Sequence, residues 1–218
     1  MPRDSHAGDI GHDGDMSTFD ERAAGWDTPE RIERAHEVAE AIRAHVALDK
    51  QTRAIDIGSG TGLLGLALLA DVSSVVLADP SEGMVEAARA KIEAQRIEHA
   101  SAVTYDVTDA PPRGAPFDLA LSLLVMHHVE DNAAVLRSVH ALLVPGGQMA
   151  LVDLDAEDGS FHDDPDAEGI HHHGFDQASL VARAQAVGFT AVATRNITEI
   201  TRDNGRRYPL FLLTGRRA

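Results

Sequence analysis

The most chemically informative pattern in the chain consists of four residues at alternate positions: Asp56, Gly58, Gly60 and Gly62. They lie in the stretch AIDIGSGTG, where a short apolar run leads into a glycine-rich turn. Glycine adopts positive φ angles and lets a ligand lie against bare backbone. The next residues, Leu63 to Leu69, predict a helix whose free N–H groups point at the same turn. The pattern therefore predicts a site for a nucleotide-like ligand.

The glycine spacing differs from that of a dinucleotide-binding turn, in which the third glycine comes three residues after the second. Leu63 occupies that position here, and Gly62 comes one residue earlier. The Asp-x-Gly-x-Gly-x-Gly pattern resembles motif I of the class I S-adenosylmethionine (SAM)-dependent methyltransferases. In that family the glycines make room for the methionine part of the cofactor. The resemblance implies that Asp56 helps to hold the methionine amino end, directly or through water.

Two further aspartates follow predicted strands, and ligands of open α/β sheets bind at the carboxyl ends of strands. Asp79 ends the second strand about 20 residues past the glycine turn, where a carboxylate can accept hydrogen bonds from both ribose hydroxyls. Asp106 ends the third predicted strand. The resemblance implies that Asp106 faces the adenine amino group and that the Val107 N–H reaches a ring nitrogen. It also implies that Met84 lines the adenine pocket.

Neighbours in the same turns complete the predicted cofactor-binding set: Ser59, Pro80 and Ser122. Each aspartate taken alone also fits a helix cap or a turn, and Met84 taken alone fits the core better than a cofactor contact. Three aspartates in register after one glycine turn favour the cofactor site.

The segment after the fourth predicted strand, FDLALSLLVMHHVED, bears on the acceptor. DNA amino-methyltransferases carry an Asn- or Asp-Pro-Pro-aromatic motif there, and this chain has Ser-Leu-Leu-Val from Ser122 onward. The His-His pair and the later LLVPGG resemble the small-molecule "type 11" and ubiquinone/menaquinone-biosynthesis-like branch. The resemblance extends from about Thr18 to the end of the chain. It implies a small-molecule methyl acceptor and S-adenosyl-L-homocysteine as the product.

Histidines are the predicted general bases, because imidazole titrates near neutral pH. Methyl transfer from a sulfonium is an in-line displacement that depends on alignment, and a hydroxyl or protonated-amine acceptor also needs a base. The candidates are His127 and His128, after the fourth strand, and His172, in a run of three histidines. A structural turn is the alternative interpretation of the His127–His128 pair. A carbon or thiolate acceptor needs no base, so the acceptor atom stays open.

The polar stretch 155–173 lies between the fifth strand and the next helix, and we interpret it as a substrate lid with few anchors to the core. Its His and Asp residues are metal-ligand types. Adjacent histidines do not converge on one centre, however, so we expect no metal. Upstream, Phe19 and Trp26 fit equally well a cover over the ligand and a staple to the core.

The elements that position these residues alternate between strands and helices. Apolar runs predict parallel strands buried on both faces, here at 53–57, 74–79, 102–106, 117–122 and 147–153. Helix N-caps are predicted at Thr28, Ser81, Asp131 and Asp176. The last two apolar runs, FTAVATRNI and RYPLFLLTG, predict an antiparallel hairpin. We therefore expect an α/β fold with a doubly wound, seven-stranded, mostly parallel sheet ending in that hairpin, a class I methyltransferase-like variant of the Rossmann fold.

Composition limits the function further. The chain has 218 residues, no cysteine and a formal net charge of −16, with no apolar run long enough to span a bilayer and no signal-peptide pattern. Such acidity disfavours nucleic acid as a partner. We predict a disordered acidic tail at 1–15, one domain at 16–218, a cytoplasmic location and no membrane partner. The chain is expected to be a monomer or homodimer.

Two other functions stay open at this stage. One is a non-catalytic module that binds SAM or S-adenosylhomocysteine, because binding and catalysis share the same cofactor residues. The other is a nicotinamide-dependent oxidoreductase, which Leu63 in the glycine turn and the C-terminal hairpin disfavour.

Overall fold

The computed structural model describes residues 19–163 and 169–218. The predicted tail at 1–15 and residues 164–168 of the predicted lid lie outside the described residues. The strands are β1 Arg53–Ile57, β2 Ser74–Asp79, β3 Ala100–Thr104, β4 Phe117–Leu123, β5 Leu143–Leu154, β6 Phe189–Thr201 and β7 Arg207–Arg217. The helices are α1 Pro29–His45, α2 Leu63–Ala67, α3 Glu82–Ala94, α4 Asn132–Leu142 and α5 Gln177–Val187.

All seven strands form one sheet in the order β3-β2-β1-β4-β5-β7-β6. The pairs β1–β2, β2–β3, β1–β4 and β4–β5 are parallel, and β7 runs antiparallel to both β5 and β6. The strand order reverses between β1 and β4, so the carboxyl ends of these two strands border a crevice. The predicted fold class is confirmed.

Helices cover both faces of the sheet. One apolar layer joins α1, α2 and α3 to the sheet through residues such as Ile42, Leu64 and Val85. The other joins α4 and α5 to the opposite face through Leu136 and Leu180. Because alternate residues of a strand point to opposite faces, every parallel strand contributes to both layers. Within the described ranges, none of the helices combines the length and apolar character that a bilayer crossing requires.

The four predicted N-caps are all present. In Thr28, Ser81, Asp131 and Asp176 the side-chain oxygen accepts a hydrogen bond from the N–H three residues later, at 2.8–3.3 Å. Such a cap typically stabilises a helix by about 0.5–2 kcal/mol. These caps fix where α1, α3, α4 and α5 begin, and α3 thereby starts directly beyond the carboxyl end of β2.

Several element boundaries differ from the sequence prediction. Strand β3 begins and ends two residues earlier than predicted, so Asp106 follows the strand instead of ending it. Strand β5 begins at Leu143, which pairs with Phe117, and the register to β4 shifts over the following Pro-Gly-Gly. The predicted strand started only after that turn sequence. Helix α2 ends at Ala67, two residues before the predicted end.

Candidate active site

The glycine turn after β1 has the backbone geometry that its sequence predicts. Gly58, Gly60 and Gly62 have φ angles of +61°, +53° and +87°, a region that L side chains rarely adopt. A Cβ atom on Gly58 would lie 2.4 Å from Cγ2 of Val125, in the turn after β4. Trp26 lies over Gly60, with its indole Nε1 3.2 Å from the position of a Cβ atom there. Because glycine has no side chain, Val125 and Trp26 can pack directly on the backbone of this turn, one at Gly58 and the other at Gly60.

Asp79 joins the glycine turn to α3. Its Oδ2 accepts a hydrogen bond from the Gly60 N–H at 2.7 Å, and its Oδ1 accepts one from the Ser81 N–H at 2.9 Å. Burial raises the pKa of Asp79 to about 6, against the lowering effect of these two hydrogen bonds. Ser59 is tied to the same edge by its N–H, which donates to the carbonyl of Ala78 at 3.1 Å. The two oxygens thus hold the glycine turn and the start of α3, and the hydrogen bonds from ribose hydroxyls to Asp79 stay a prediction.

Asp56 is more deeply placed than the sequence suggested. It is 1% exposed and lies one residue before the end of β1, with Oδ2 accepting a hydrogen bond from the Gly65 N–H of α2 at 2.9 Å. Burial is the main cause that raises the pKa of Asp56 to about 7, and the nearby charge of Asp79 adds to it. The carboxyl group therefore ties β1 to α2 beneath the turn. This placement leaves its predicted contact with the methionine amino end as a prediction.

The predicted adenine-side residues follow β2 and β3. Asp106 lies in the turn after β3, and its Oδ1 accepts hydrogen bonds from the Thr108 N–H and hydroxyl, both at 2.7 Å. Val107 is buried, and so is Met84 in the first turn of α3. Pro80 is exposed at the carboxyl end of β2. One oxygen of Asp106 thus stabilises the turn, which is the role that the sequence allowed for a single aspartate besides cofactor binding.

The turn after β4 carries both predicted bases. A short 3-10 helix, Met126–His128, begins three residues after the strand. Ser122, near the end of β4, is buried and pairs with Ile57 of β1, which sets this turn beside the glycine turn. The contact between Val125 and Gly58 also holds the histidine turn beside the glycine turn. The cofactor turn and the histidine pair are therefore direct neighbours.

His127 pairs with an aspartate that was absent from the predicted site. Its Nδ1 lies 2.7 Å from Oδ1 of Asp153 in β5, and the two side chains are 2% and 0% exposed. Oδ1 of Asp153 also accepts the Leu154 N–H at 2.8 Å. Among the described residues its second oxygen, Oδ2, has no hydrogen-bond partner. The position of Asp153 at the end of a predicted strand was the available indication, since the other site aspartates follow strands too.

His128 lies against His127 with ring centroids 4.3 Å apart, and His162 lies 5.3 Å from His127. Burial is the largest cause that lowers the pKa of His128 to about 4, and the neighbouring His127 lowers it further. His128 is therefore neutral near pH 7 and holds a proton poorly. Phe19 contacts the outer side of its ring at 5.5 Å between centroids.

His172 has a structural position. Its Nε2 lies 3.0 Å from the carbonyl oxygens of Val129 and Glu130 and 3.3 Å from Nδ2 of Asn132. The backbone N–H of His172 also donates to the carbonyl of His127 at 3.1 Å. Within residues 19–163 and 169–218, no three His, Asp or Glu side chains are arranged to hold a metal ion.

The segment before α1 covers the glycine turn. Phe19 and Trp26 meet edge to face at 5.9 Å between centroids, and Trp26 lies over Gly60. Asp27 pairs with Lys91 of α3 at 2.5 Å. These contacts agree with both interpretations that the sequence allowed for the two aromatic residues, a cover over the ligand site and a staple to the core.

The lid segment, 155–173, is better anchored than its polarity suggested, as far as it is described. Phe161 is buried and packs against Tyr208 of β7 with centroids 5.1 Å apart. Oε2 of Glu157 accepts hydrogen bonds from the Ser160 and Phe161 N–H groups at 2.8 and 3.2 Å. The expectation of few anchors was wrong because one aromatic residue and one carboxylate inside the segment organise it.

Comparisons with known proteins agree with this geometry. A family model described as a methyltransferase domain matches residues 55–149, the part that contains the glycine turn, β1 to β4 and the histidine turn. The site and fold together therefore define a methyltransferase domain. The matched family model, the curated relatives and the fold support a SAM-dependent methyltransferase similar to those of ubiquinone biosynthesis.

Two curated relatives are named ubiquinone biosynthesis O-methyltransferase. The protein of Ruegeria pomeroyi is 38% identical over 98 residues, which is 44% of this chain and 38% of that protein. The protein of Parvibaculum lavamentivorans is 29% identical over 161 residues, 65% of this chain and 62% of that protein. The matches thus cover between about a third and two thirds of these relatives. A crystal structure of a SAM-dependent methyltransferase from Aquifex aeolicus shares the fold, with a TM-score of 0.69, 17% identity and coverage of 91% and 98%.

SAM is the cofactor of this family, and the described residues fit it. The glycine turn has the positive φ angles of a ligand-binding turn, and Asp79 places two carboxylate oxygens at the end of β2. The crevice between β1 and β4 lies between these groups and the histidine turn.

Proposed function

We propose that this chain transfers the methyl group of SAM to an oxygen atom of a small-molecule acceptor. The observation that carries the proposal is the His127–Asp153 pair, which lies beside the cofactor turn through the Val125–Gly58 contact. A histidine held by a buried carboxylate is suited to removing a proton from a hydroxyl group. The names of the curated relatives, which are O-methyltransferases, support an oxygen acceptor.

Asp153 orients His127 for this role. When Nδ1–H donates to the carboxylate, the basic lone pair is on Nε2, and the carboxylate stabilises the imidazolium that forms. When bound, SAM supplies an electrophilic methyl group on a sulfonium sulfur. Nε2 of His127 would take the proton that the hydroxyl loses as its oxygen bonds to the methyl carbon, and the bond from that carbon to sulfur would break, leaving neutral S-adenosylhomocysteine. The remaining contribution is alignment of the reacting atoms.

The neighbouring histidines have supporting roles in this proposal. His128 is a weak proton acceptor, since burial lowers its pKa to about 4. His172 uses Nε2 to bind the turn that carries His127. His127 is buried beneath His162, so an acceptor reaches it when the lid segment that carries His162 moves.

The test compares Asp153→Asn and His127→Gln with wild type in a labelled-SAM assay against a panel of phenols, catechols and hydroxy acids. We expect turnover to fall about 10²-fold or more, while calorimetry gives an affinity for S-adenosylhomocysteine within about twofold of wild type. His140→Gln is the matched control, because His140 packs on Phe189 in the layer of α4 and α5.

Near-normal turnover in Asp153→Asn would refute the base assignment. A wild-type chain that binds S-adenosylhomocysteine but methylates no member of the panel would favour the non-catalytic SAM-binding module.

We further propose that the acceptor is not a nucleic acid and that the chain acts in the cytoplasm as a monomer or homodimer. The net charge of −16 supports the first point, and the absence of cysteine supports the second. Light scattering coupled to gel filtration measures the oligomeric state. Labelled-SAM assays with tRNA and duplex DNA test the exclusion of nucleic acid.

A further inference from the structure

Three arginines come together at one border of the site although the chain is strongly acidic. Helix α1 runs alongside β6: Arg195 Nη1 lies 3.0 Å from Nδ1 of His45, and the Thr198 hydroxyl donates to Glu37 at 2.7 Å. From His45 to Glu37 the helix rises about 12 Å, and three strand residues cover about 10 Å. Arg202 comes four residues after Thr198, so the same direction of the chain along the helix places it beside the first turns of α1.

Those first turns carry Arg31 and Arg34, one helical turn apart on the same side. Burial lowers the pKa of both, and the charge of Arg202 lowers each further. Arg22 has the same effect on Arg31. The guanidinium groups of Arg31, Arg34 and Arg202, called here the arginine cluster, are therefore close enough to repel one another.

Nearby carboxylates offset only part of this repulsion, since Asp27 and Glu30 raise the pKa of Arg31, and Glu37 and Glu30 raise that of Arg34, while the net shift of both stays downward. Arg31 stacks on Trp26 at 4.0 Å and donates to its carbonyl, a neutral group, at 2.9 Å. Between residues 19–163 and 169–218, Arg34 forms no ion pair and no side-chain hydrogen bond. Arg202 pairs at 3.1 Å with Asp163, whose side chain is 93% exposed. Exposed pairs of this kind contribute little, so the cluster favours a bound anion.

One row of contacts connects the cluster to the base. The guanidinium of Arg202 lies 5.3 Å from the ring of Phe161, and Phe161 lies 4.8 Å from the ring of His162. His162 in turn lies 5.3 Å from the ring of His127. Arg202 directly follows β6 and Phe161 is in the lid segment, so this row runs on the β5–β7–β6 side of the sheet, away from β2 and β3.

A second row connects the cluster to the cofactor turn. Arg31 stacks on Trp26, which lies over Gly60 and meets Phe19 at 5.9 Å, and Phe19 reaches His128 at 5.5 Å. Both rows lead from the arginine cluster to the histidine turn, one through the lid segment and the other past the cofactor turn. An acceptor bound between them would meet His127 at one end and the arginines at the other.

We propose that the methyl acceptor is an anion, and that Arg31, Arg34 and Arg202 bind its carboxylate or phosphate group while its hydroxyl meets His127. The inference rests on the proposed function and specifies its substrate class. Guanidinium groups match carboxylate and phosphate oxygens in geometry and charge. A bound anion also relieves the repulsion within the cluster.

The experiment uses Trp26, the only tryptophan of the chain, as a reporter. The full chain, saturated with S-adenosylhomocysteine, is titrated with benzoate, phenyl phosphate and the uncharged benzamide at constant ionic strength. We expect both anions to change the fluorescence and to bind at least 10-fold more tightly than benzamide. Arg34→Gln and Arg202→Gln should each weaken anion binding at least 5-fold and leave benzamide unchanged.

Arg113→Gln is the matched control. Arg113 is exposed on the loop before the amino end of β4, whereas the site lies at the carboxyl ends of the strands. Because Arg202 is partly exposed, its replacement tests the proposal even if Arg34→Gln fails to fold. Arg202→Lys, which keeps the charge, should recover part of the affinity for the anions.

Equal binding of benzoate and benzamide by wild type would overturn the proposal. So would a matching loss of S-adenosylhomocysteine affinity in both arginine variants, because the bound anion would then be the carboxylate of the cofactor. Anion binding is measured without turnover, so it distinguishes this inference from the proposed function. Charge discrimination together with normal turnover of Asp153→Asn would refute the base and leave the anion site in place.

Discussion

The buried carboxyl group of Asp56 makes the pH dependence of folding a test of the cofactor turn. Burial raises the pKa of Asp56 from an ordinary 3.8 to about 7. Since the pKa is higher in the folded chain than in the unfolded chain, the folded chain binds more protons between these values. The contribution of this group to stability is therefore fully present below about pH 4 and is lost as the pH rises to about 7.

The size of the effect follows from the two pKa values. One pKa unit corresponds to about 1.36 kcal/mol, so the difference between 3.8 and about 7 corresponds to a loss of about 4 kcal/mol. Asp56→Asn keeps an oxygen to accept the Gly65 N–H and removes the titration. The new amide N–H groups need hydrogen-bond acceptors, and leaving them unpaired costs about 1–3 kcal/mol, which offsets part of this gain in stability. We expect the variant to be more stable than wild type by about 1–3 kcal/mol at pH 8 and no more stable at pH 4.5.

Urea unfolding of the cofactor-free chain at these two pH values measures the effect. The buried Asp79, whose pKa burial raises to about 6, titrates in the same direction in both proteins, so the difference between them reports Asp56 together with its coupling to Asp79. Asp109→Asn, at an exposed position, controls for the loss of one negative charge. Parallel pH profiles for wild type and Asp56→Asn would show that the carboxyl group stays ionised in the fold, and the burial argument would fail.

Three further predictions follow from the site and the chain ends. Asp79→Ala should lower the affinity for S-adenosylhomocysteine by about 1.5–3 kcal/mol. The variant also leaves the Gly60 and Ser81 N–H groups without their acceptor. Calorimetry that gives unchanged affinity would exclude the ribose role. Gly58→Ala should lower the free energy of unfolding by about 1–3 kcal/mol, because its φ is +61° and its Cβ would meet Val125 at 2.4 Å. Deletion of 1–15 should leave the melting temperature and the cofactor affinity unchanged, and a fall in either would show that this segment docks on the domain.

Much of the fold could be predicted because its patterns are local. The bounds of β1 and β2 match their apolar runs, and each helix cap is a single polar residue before a periodic apolar stretch. The misplaced start of β3 has a physical reason. It is an edge strand whose first residues, Ala100 and Ser101, are partly or fully exposed, so hydrophobicity does not mark where pairing begins.

The same distinction between local patterns and distant contacts separates the predicted part of the site from the missed part. The predicted cofactor residues follow strands in chain order, so the positions of the glycine turn and of Asp79 at the strand ends could be predicted from spacing. The His127–Asp153 pair joins residues 26 positions apart, one in the turn after β4 and the other in β5. Neither residue type nor spacing identified that partner, because only the sheet order places β4 next to β5.

The arginine cluster extends this argument to the substrate. Arg31 and Arg34 lie on an amphipathic helix, where the sequence alone gives them no role beyond a solvated face. Their significance comes from Arg202, which follows β6 near the end of the chain and acts on both of them through its charge. The cofactor half of the crevice thus depends on local motifs, and the acceptor half depends on contacts between the two ends of the chain. Acceptor specificity in this chain should therefore change through residues such as Arg34 and Arg202 while the glycine turn stays the same.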